Sequence, residues 1–170
     1  QQTVDIEAVN IDENMAKVYE RFILEYYKQH HRELSVSAAE IKWDLDEDFM
    51  EPIIKYLPKM QSDITLRHNG YTLIIDAKYY SKNMQQQFDK NTLISSNLYQ
   101  IYTYVKNEDR AGGGKVSGML LYAKTNSDIV PNADFSTGGN RISVKTLDLD
   151  ANFGEIKQQL DKIAESYFYK

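Results

Sequence analysis

The chain contains no cysteine. Disulfides, zinc–thiolate centres and cysteine nucleophiles are therefore excluded, and a reducing compartment is compatible with the composition. No apolar run approaches the ~20 residues that a membrane-spanning helix needs. The start of the chain shows no signal-peptide pattern, and the expected location is the cytoplasm, with no membrane partner. An excess of positive charge is also missing: the net charge is −5 at pH 7. A strong stand-alone grip on nucleic acid is not expected from such a surface. Several familiar catalytic patterns are absent too. There is no G-x-S-x-G elbow. Gly112-Gly113-Gly114-Lys115 is not a phosphate-binding P-loop, because Asp109 stands where the first glycine is required and Val116 where Ser or Thr is. Asp44, Asp46, Glu47 and Asp48 lack the spacing of a calcium loop. His30-His31 and His68 form no metal or triad pattern, and no internal repeat is present.

What remains has the makeup of an ordinary folded domain. Hydrophobic residues make up 42% and charged residues 26%, as expected of a globular protein with a proper core. At 170 residues the chain is read as one domain, 1–170. It begins Gln1-Gln2 rather than with Met, which suggests a piece of something longer. Thirteen tyrosines are read as packing residues with a polar tip, a few of them lining a groove.

Hydrophobic spacing predicts a helix over Ile11 to His30, with Asn10 and Glu13 as a capping signal. Alternation at Leu34, Val36 and Ala38 predicts a strand. Two further strands run to about Tyr80, followed by a Gln-rich loop over Ser81 to Asn91. Ser95 or Ser96 is expected to cap a helix through Lys106, with Leu98, Ile101, Tyr102 and Val105 as its buried stripe. Val116 to Lys124 and Ile142 to Leu149 read as strands, Asn126 to Asn140 as a long loop, and Asn152 as the start of a last helix. The order predicts an α/β fold, a mixed central sheet flanked by helices.

The most informative stretch is Gln61 to Lys78. Asn69-Gly70 is a strong signal for a two-residue hairpin turn, because both positions tolerate φ > 0. With those two residues as the loop, His68 faces Tyr71, Leu66 faces Leu73, Ile64 faces Ile75 and Asp63 faces Asp76. One face is then aliphatic: Ile64, Leu66, Leu73 and Ile75. The other is mostly polar: Asp63, Thr65, Arg67, Thr72, Ile74, Asp76 and Lys78. A one-residue slip would mix the two sets, so the pattern supports the register. Directly opposed residues lie roughly 4.5–5.5 Å apart at Cβ, where two carboxylates repel. A bound hard cation such as Mg²⁺ removes that objection. Lys78 points to the same side, placed to orient a water or stabilise charge on a phosphate. On spacing alone, Glu20 reads as a surface carboxylate near Lys17 or Lys28. Gln100 and Tyr104 share a helix face roughly opposite the Leu98/Ile101/Val105 stripe, solvent being the default neighbour.

Asp63 followed by Asp76-Ala77-Lys78 after a hydrophobic strand resembles the motif of PD-(D/E)xK nucleases. Ser62 stands where the usual proline precedes the first Asp. Gln100-Ile101-Tyr102-Thr103-Tyr104 matches the Q-x-x-x-Y motif of the RecB-like branch, and Glu20 sits where that superfamily often keeps an acid on a preceding helix. More narrowly, Asn14 to Phe22, Asp76 to Tyr80 and Leu98 to Tyr104 resemble the nuclease domain of McrC, the endonuclease subunit of modification-dependent restriction systems. The resemblance implies a restriction-endonuclease-like αβββαβ core and Mg²⁺-dependent cleavage of DNA, with Mn²⁺ as a substitute. It implies that Asp63, Asp76 and the Ala77 carbonyl bind the metal, with Glu20 assisting directly or through water. Lys78 would position or activate the attacking water, and Gln100 and Tyr104 would border the site and the DNA. It also implies an McrB-like AAA+ GTPase partner, engaged through a region N-terminal to the nuclease. The rival expectations are another RecB-like repair or phage-defence nuclease, or a catalytically silent nuclease fold used for assembly or DNA binding.

Overall fold

The computed structural model describes residues 6–46, 52–80, 90–124 and 131–169. Helix α1 spans Ile6–His30. Its buried stripe is Tyr19, Ile23, Tyr26 and Tyr27, spaced as one helical face requires. It starts upstream of the expected cap at Asn10, since Ile6-Glu7-Ala8-Val9 contains no helix breaker. Strand β1 (Ser35–Ser37) follows. Two-residue strands β2 (Glu40–Ile41) and β3 (Met60–Gln61) pair with each other, on either side of a 3-10 turn at Pro52–Tyr56. Both are too short to leave a periodic signal.

Strands β4 (Ile64–His68) and β5 (Tyr71–Lys78) form the expected hairpin. Its register is His68↔Tyr71, Leu66↔Leu73 and Ile64↔Ile75, and Asn69 and Gly70 take φ of 49° and 81°, as a turn with two left-handed positions demands. Helix α2 covers Lys90–Glu108. It begins before Ser95 and Ser96, which lie inside it and are exposed rather than capping. The rest of the loop expected at 81–91 lies outside the described residues.

Strands β6 (Val116–Lys124), β7 (Ala133–Thr137) and β8 (Asn140–Asp148) complete the sheet, and α3 spans Phe153–Phe168. β7 corrects the long loop expected over 126–140. All five of its residues are exposed, so no burial pattern marks it; it forms by pairing with β8 across the Gly138-Gly139 turn. α3 starts as expected, with a capping box between Asn152 and Glu155.

The sheet order is β1-β4-β5-β6-β8-β7. β5, β6 and β8 run parallel; the other pairings are antiparallel. One apolar layer, including Ile64, Leu66, Leu73 and Ile75, packs against α1 and α3. The second, including Ile74, Leu120, Ile142 and Val144, packs against α2. The second layer corrects a further expectation. The hairpin face read as mostly polar is largely covered: Thr65, Ile74 and Asp76 are all buried. Among the described residues, no helix is long and apolar enough to cross a membrane.

Candidate active site

Strand β5 is flanked on both sides, by β4 and β6, so ladders hold both of its edges. Asp76 and Lys78 project from its C-terminal end toward the α2 side. Asp63 comes from the bend just before β4, where the ladder has stopped at Ile64↔Ile75. Instead of a main-chain rung, the Asp63 carboxylate accepts the Ala77 N–H at 2.8 Å. Ala77 was expected to contribute its carbonyl; what the structure shows is its amide orienting Asp63.

Ser62 fixes that bend. It is buried, its N–H donates to Ala39 O at 2.9 Å, and its hydroxyl meets the Ala39 N–H and the Thr65 hydroxyl. Proline, the residue usual here in the resembled motif, has no N–H for the first of these bonds.

The electrostatics are strained in one direction. Asp76 is 6% exposed. Its Oδ2 lies 3.1 Å from Lys78 Nζ, yet that oxygen has no aligned hydrogen bond. Burial, then a hydrogen-bonding contact with Asp76 and the charges of Asp76 and Glu20, holds the Asp63 carboxyl well above the usual range; the Ala77 N–H opposes this. Glu20 is also pushed up, first by burial and then by Asp76, against the pull of Lys78 and Lys17. It therefore belongs to the electrostatics of the site rather than to an isolated surface position. Burial alone would lower Lys78, but Asp76 outweighs it and the ammonium is held above its ordinary value.

Among the described residues, no three His, Asp or Glu side chains converge closely enough to ligate a metal as they stand. Two do come together. The buried Asp76 carboxylate is met by the Lys78 ammonium, and Asp63 beside it is kept from ionising by burial and like charge; a bound hard cation is what would let both carboxyls ionise together. Asp63 and Asp76 offer the oxygen-only donors that Mg²⁺ or Mn²⁺ takes.

Helix α2 supplies the rim. Lys78 Nζ donates to Gln100 Oε1 at 3.4 Å, and Gln100 Nε2 donates to the Tyr104 hydroxyl at 3.0 Å. Tyr104 is not opposite the apolar stripe as expected. It is buried in the same cluster as Ile101 and Val105, only about 60° round the helix from Ile101. Asn97 was not anticipated. It is buried and donates to the hydroxyls of Tyr80 and Tyr122. Its spacing from Gln100 and Tyr104 was the available signal, since positions three and seven apart share a helix face.

A family profile described as "McrBC 5-methylcytosine restriction system component" matches residues 5–123. The chain belongs to this family. The McrBC-family assignment takes in α1, the hairpin, α2 and β6, and so every site residue named above. The chain is also 26% identical over 156 residues to the Type IV methyl-directed restriction enzyme EcoKMcrBC of Escherichia coli (strain K12), a match covering 92% of this chain and 44% of that protein. It thus spans less than half the length of that relative. Among solved structures it resembles a refined half-complex from a tetradecameric assembly of Thermococcus gammatolerans McrB AAA+ hexamers with bound McrC. That likeness has a TM-score of 0.56 at 17% identity, over 88% of this chain and 33% of the other. It shows the fold, consistent with the restriction-endonuclease-like architecture expected. The McrBC-family chain thus carries, over most of its length, the profile of a 5-methylcytosine restriction system component.

Proposed function

We propose that this chain is the DNA-cutting part of its restriction system, hydrolysing phosphodiester bonds with Mg²⁺, for which Mn²⁺ substitutes. The observation that carries the proposal is the convergence of Asp63, Asp76 and Lys78 at the end of β5, where the buried Asp76 Oδ2 lies 3.1 Å from the Lys78 ammonium and Asp63 is held by the Ala77 N–H. Asp63 and Asp76 would hold the cation, together with the Ala77 carbonyl, and Glu20 would act directly or through a water. When bound, the cation supplies the positive charge that offsets both carboxylates and polarises the phosphodiester.

The chain's own groups do the rest. Water oxygen attacks phosphorus as the bond to the leaving oxygen breaks, and the proton given up by the water passes through solvent to the leaving oxygen. Lys78, held by Asp76 and Gln100, keeps its proton and its charge, and so orients that water or stabilises the extra negative charge on the phosphate. Gln100 and Tyr104 border the path of the DNA. An McrB-like AAA+ GTPase is the proposed partner, through a region outside this chain; the T. gammatolerans assembly, named for McrB hexamers with bound McrC, supports that reading.

The test is cleavage of methylated plasmid DNA with Mg²⁺ or Mn²⁺, with and without an McrB-type partner. Asp76→Ala and Lys78→Ala are each expected to slow cleavage about 100-fold or more, and EDTA to stop it. Cleavage indifferent to both substitutions would refute the site. No metal-dependent cleavage even with the partner would refute the nuclease.

A further inference from the structure

Helix α2 turns a stripe of three polar side chains toward the sheet: Asn97, Gln100 and Tyr104. Gln100 touches Lys78 directly. Asn97, one turn earlier, does not, and its position is unusual for its chemistry. Its side chain is 8% exposed, in a helix interior where Ala or Leu would be the better helix former. Among the described residues its side-chain bonds go to side chains, not to the main chain. Both hydrogens of an amide nitrogen are available for donation, and Asn97 Nδ2 donates to Tyr80 and Tyr122, each at 2.9 Å.

Those two tyrosines adjoin the reactive lysine. Tyr122 is the register partner of Lys78 on the neighbouring parallel strand. Tyr80 continues the Ile74, Asp76, Lys78 side of β5 past its end, and packs with Tyr122 against the α2-side core. The two ring centroids are 6.0 Å apart. Tyr80 acts electrostatically on Lys78, and Asp76 on Tyr122.

We propose that Asn97 is a positioning residue of the cleavage site: by fixing the Tyr80 and Tyr122 hydroxyls it sets the aromatic wall that keeps Lys78 aimed at the substrate phosphate. The chemistry of this inference rests on the nuclease reading above; the placement rests on geometry alone. A mere tie between helix and sheet would show only in stability. A positioning role shows at Lys78, and it passes through the two hydroxyls.

The experiment compares the wild-type chain with Asn97→Ala, with Tyr80→Phe/Tyr122→Phe, and with all three changes combined. Two quantities are read in each. One is competitive acetylation of Lys78 relative to Lys157, by mass spectrometry; the other is kcat and KM for cleavage with the McrB-type partner. Asn97→Ala is expected to raise Lys78 acetylation severalfold and to lower kcat about 10- to 100-fold with KM little changed. Adding it to the Tyr80→Phe/Tyr122→Phe protein should change neither quantity further, because the contacts it acts through are already gone. A folded Asn97→Ala protein with wild-type Lys78 acetylation and kcat overturns the proposal, as does a triple variant whose losses multiply. If Asn97→Ala does not fold, wild-type Lys78 acetylation in the Tyr80→Phe/Tyr122→Phe protein overturns it instead. If the wild-type chain itself does not cleave, it is the nuclease reading that fails, and Lys78 acetylation alone decides the role of Asn97.

Discussion

Asp63 is ionised near pH 4 in an unfolded chain, but in the folded chain burial, Asp76 and Glu20 push its carboxyl up to about 8. Between those two values the unfolded state binds fewer protons than the folded one. Stability from this group is therefore lost as pH rises through that window. In EDTA, the wild-type chain is expected to melt lower at pH 8 than at pH 5 on this account. Asp63→Asn should flatten the difference and raise the pH 8 melting temperature while abolishing cleavage; thermal unfolding at both pH values checks it. A second residue-scale cost sits at Gly118. A Cβ there would lie 2.7 Å from Val105 Cγ2 and 2.8 Å from Ile101 Cγ1, because α2 lies directly on β6. Gly118→Ala should destabilise by about 1–3 kcal/mol through overpacking, measured by urea unfolding. Asp76 and Lys78 were legible as neighbours because alternation along a strand places side chains without knowledge of anything distant; Asp63 was expected on a rung opposite Asp76, but the ladder stops at Ile64↔Ile75 and the Ala77 N–H orients it instead. Asn97 and Ser62 were not legible. Neither residue type announces chemistry, and their partners lie far along the chain or in strands too short to foresee.

At the scale of elements, α2 carries the rim of the site, and its far end is tied down by one buried side chain. Asn140 is fully buried. It donates to Asp109 Oδ2 and Val116 O, and accepts from Lys106 Nζ. Lys106 also donates to Gly138 O, and Asp109 Oδ2 takes the Gly114 N–H. One amide thus joins the end of α2, the glycine-rich loop and the β7–β8 turn. Asn140→Ala should cost about 1–3 kcal/mol by leaving buried polar partners unmatched, read from denaturant midpoints. Helix α1, the β4–β5 hairpin and β6 were legible because each is long enough for its period to repeat. β2 and β3 have two residues each, and β7 buries nothing, so hydrophobic patterning had nothing to register. The early start of α2 escaped because a serine inside an exposed helix face looks like a serine at its cap.

For the whole molecule, the governing quantity is charge. A net charge of −5 opposes association with a polyanion. The isolated chain is expected to bind duplex DNA no better than the non-specific range of about 10⁻⁶–10⁻⁴ M at physiological salt. Fluorescence anisotropy with a labelled duplex measures this, and nanomolar binding without a partner would contradict it. The proposed division of labour follows: a cutting surface here, and the grip on DNA supplied by an AAA+ subunit. The mixed sheet flanked by helices was legible at this scale from element order. The covering of the hairpin's polar face was not, because it depends on how α2 docks rather than on the hairpin's own residues.

The Ala77 N–H gives the site an internal gauge. A backbone amide that ends on an ionisable side chain senses that side chain's charge through a single hydrogen bond of 2.8 Å. Loss of the Asp63 proton, or its rotation toward a cation, alters the magnetic environment of this amide more directly than that of any amide without such a bond. Its resonance in a nitrogen-15 spectrum is therefore an occupancy meter, readable with no DNA, no cleavage and no added label near the site.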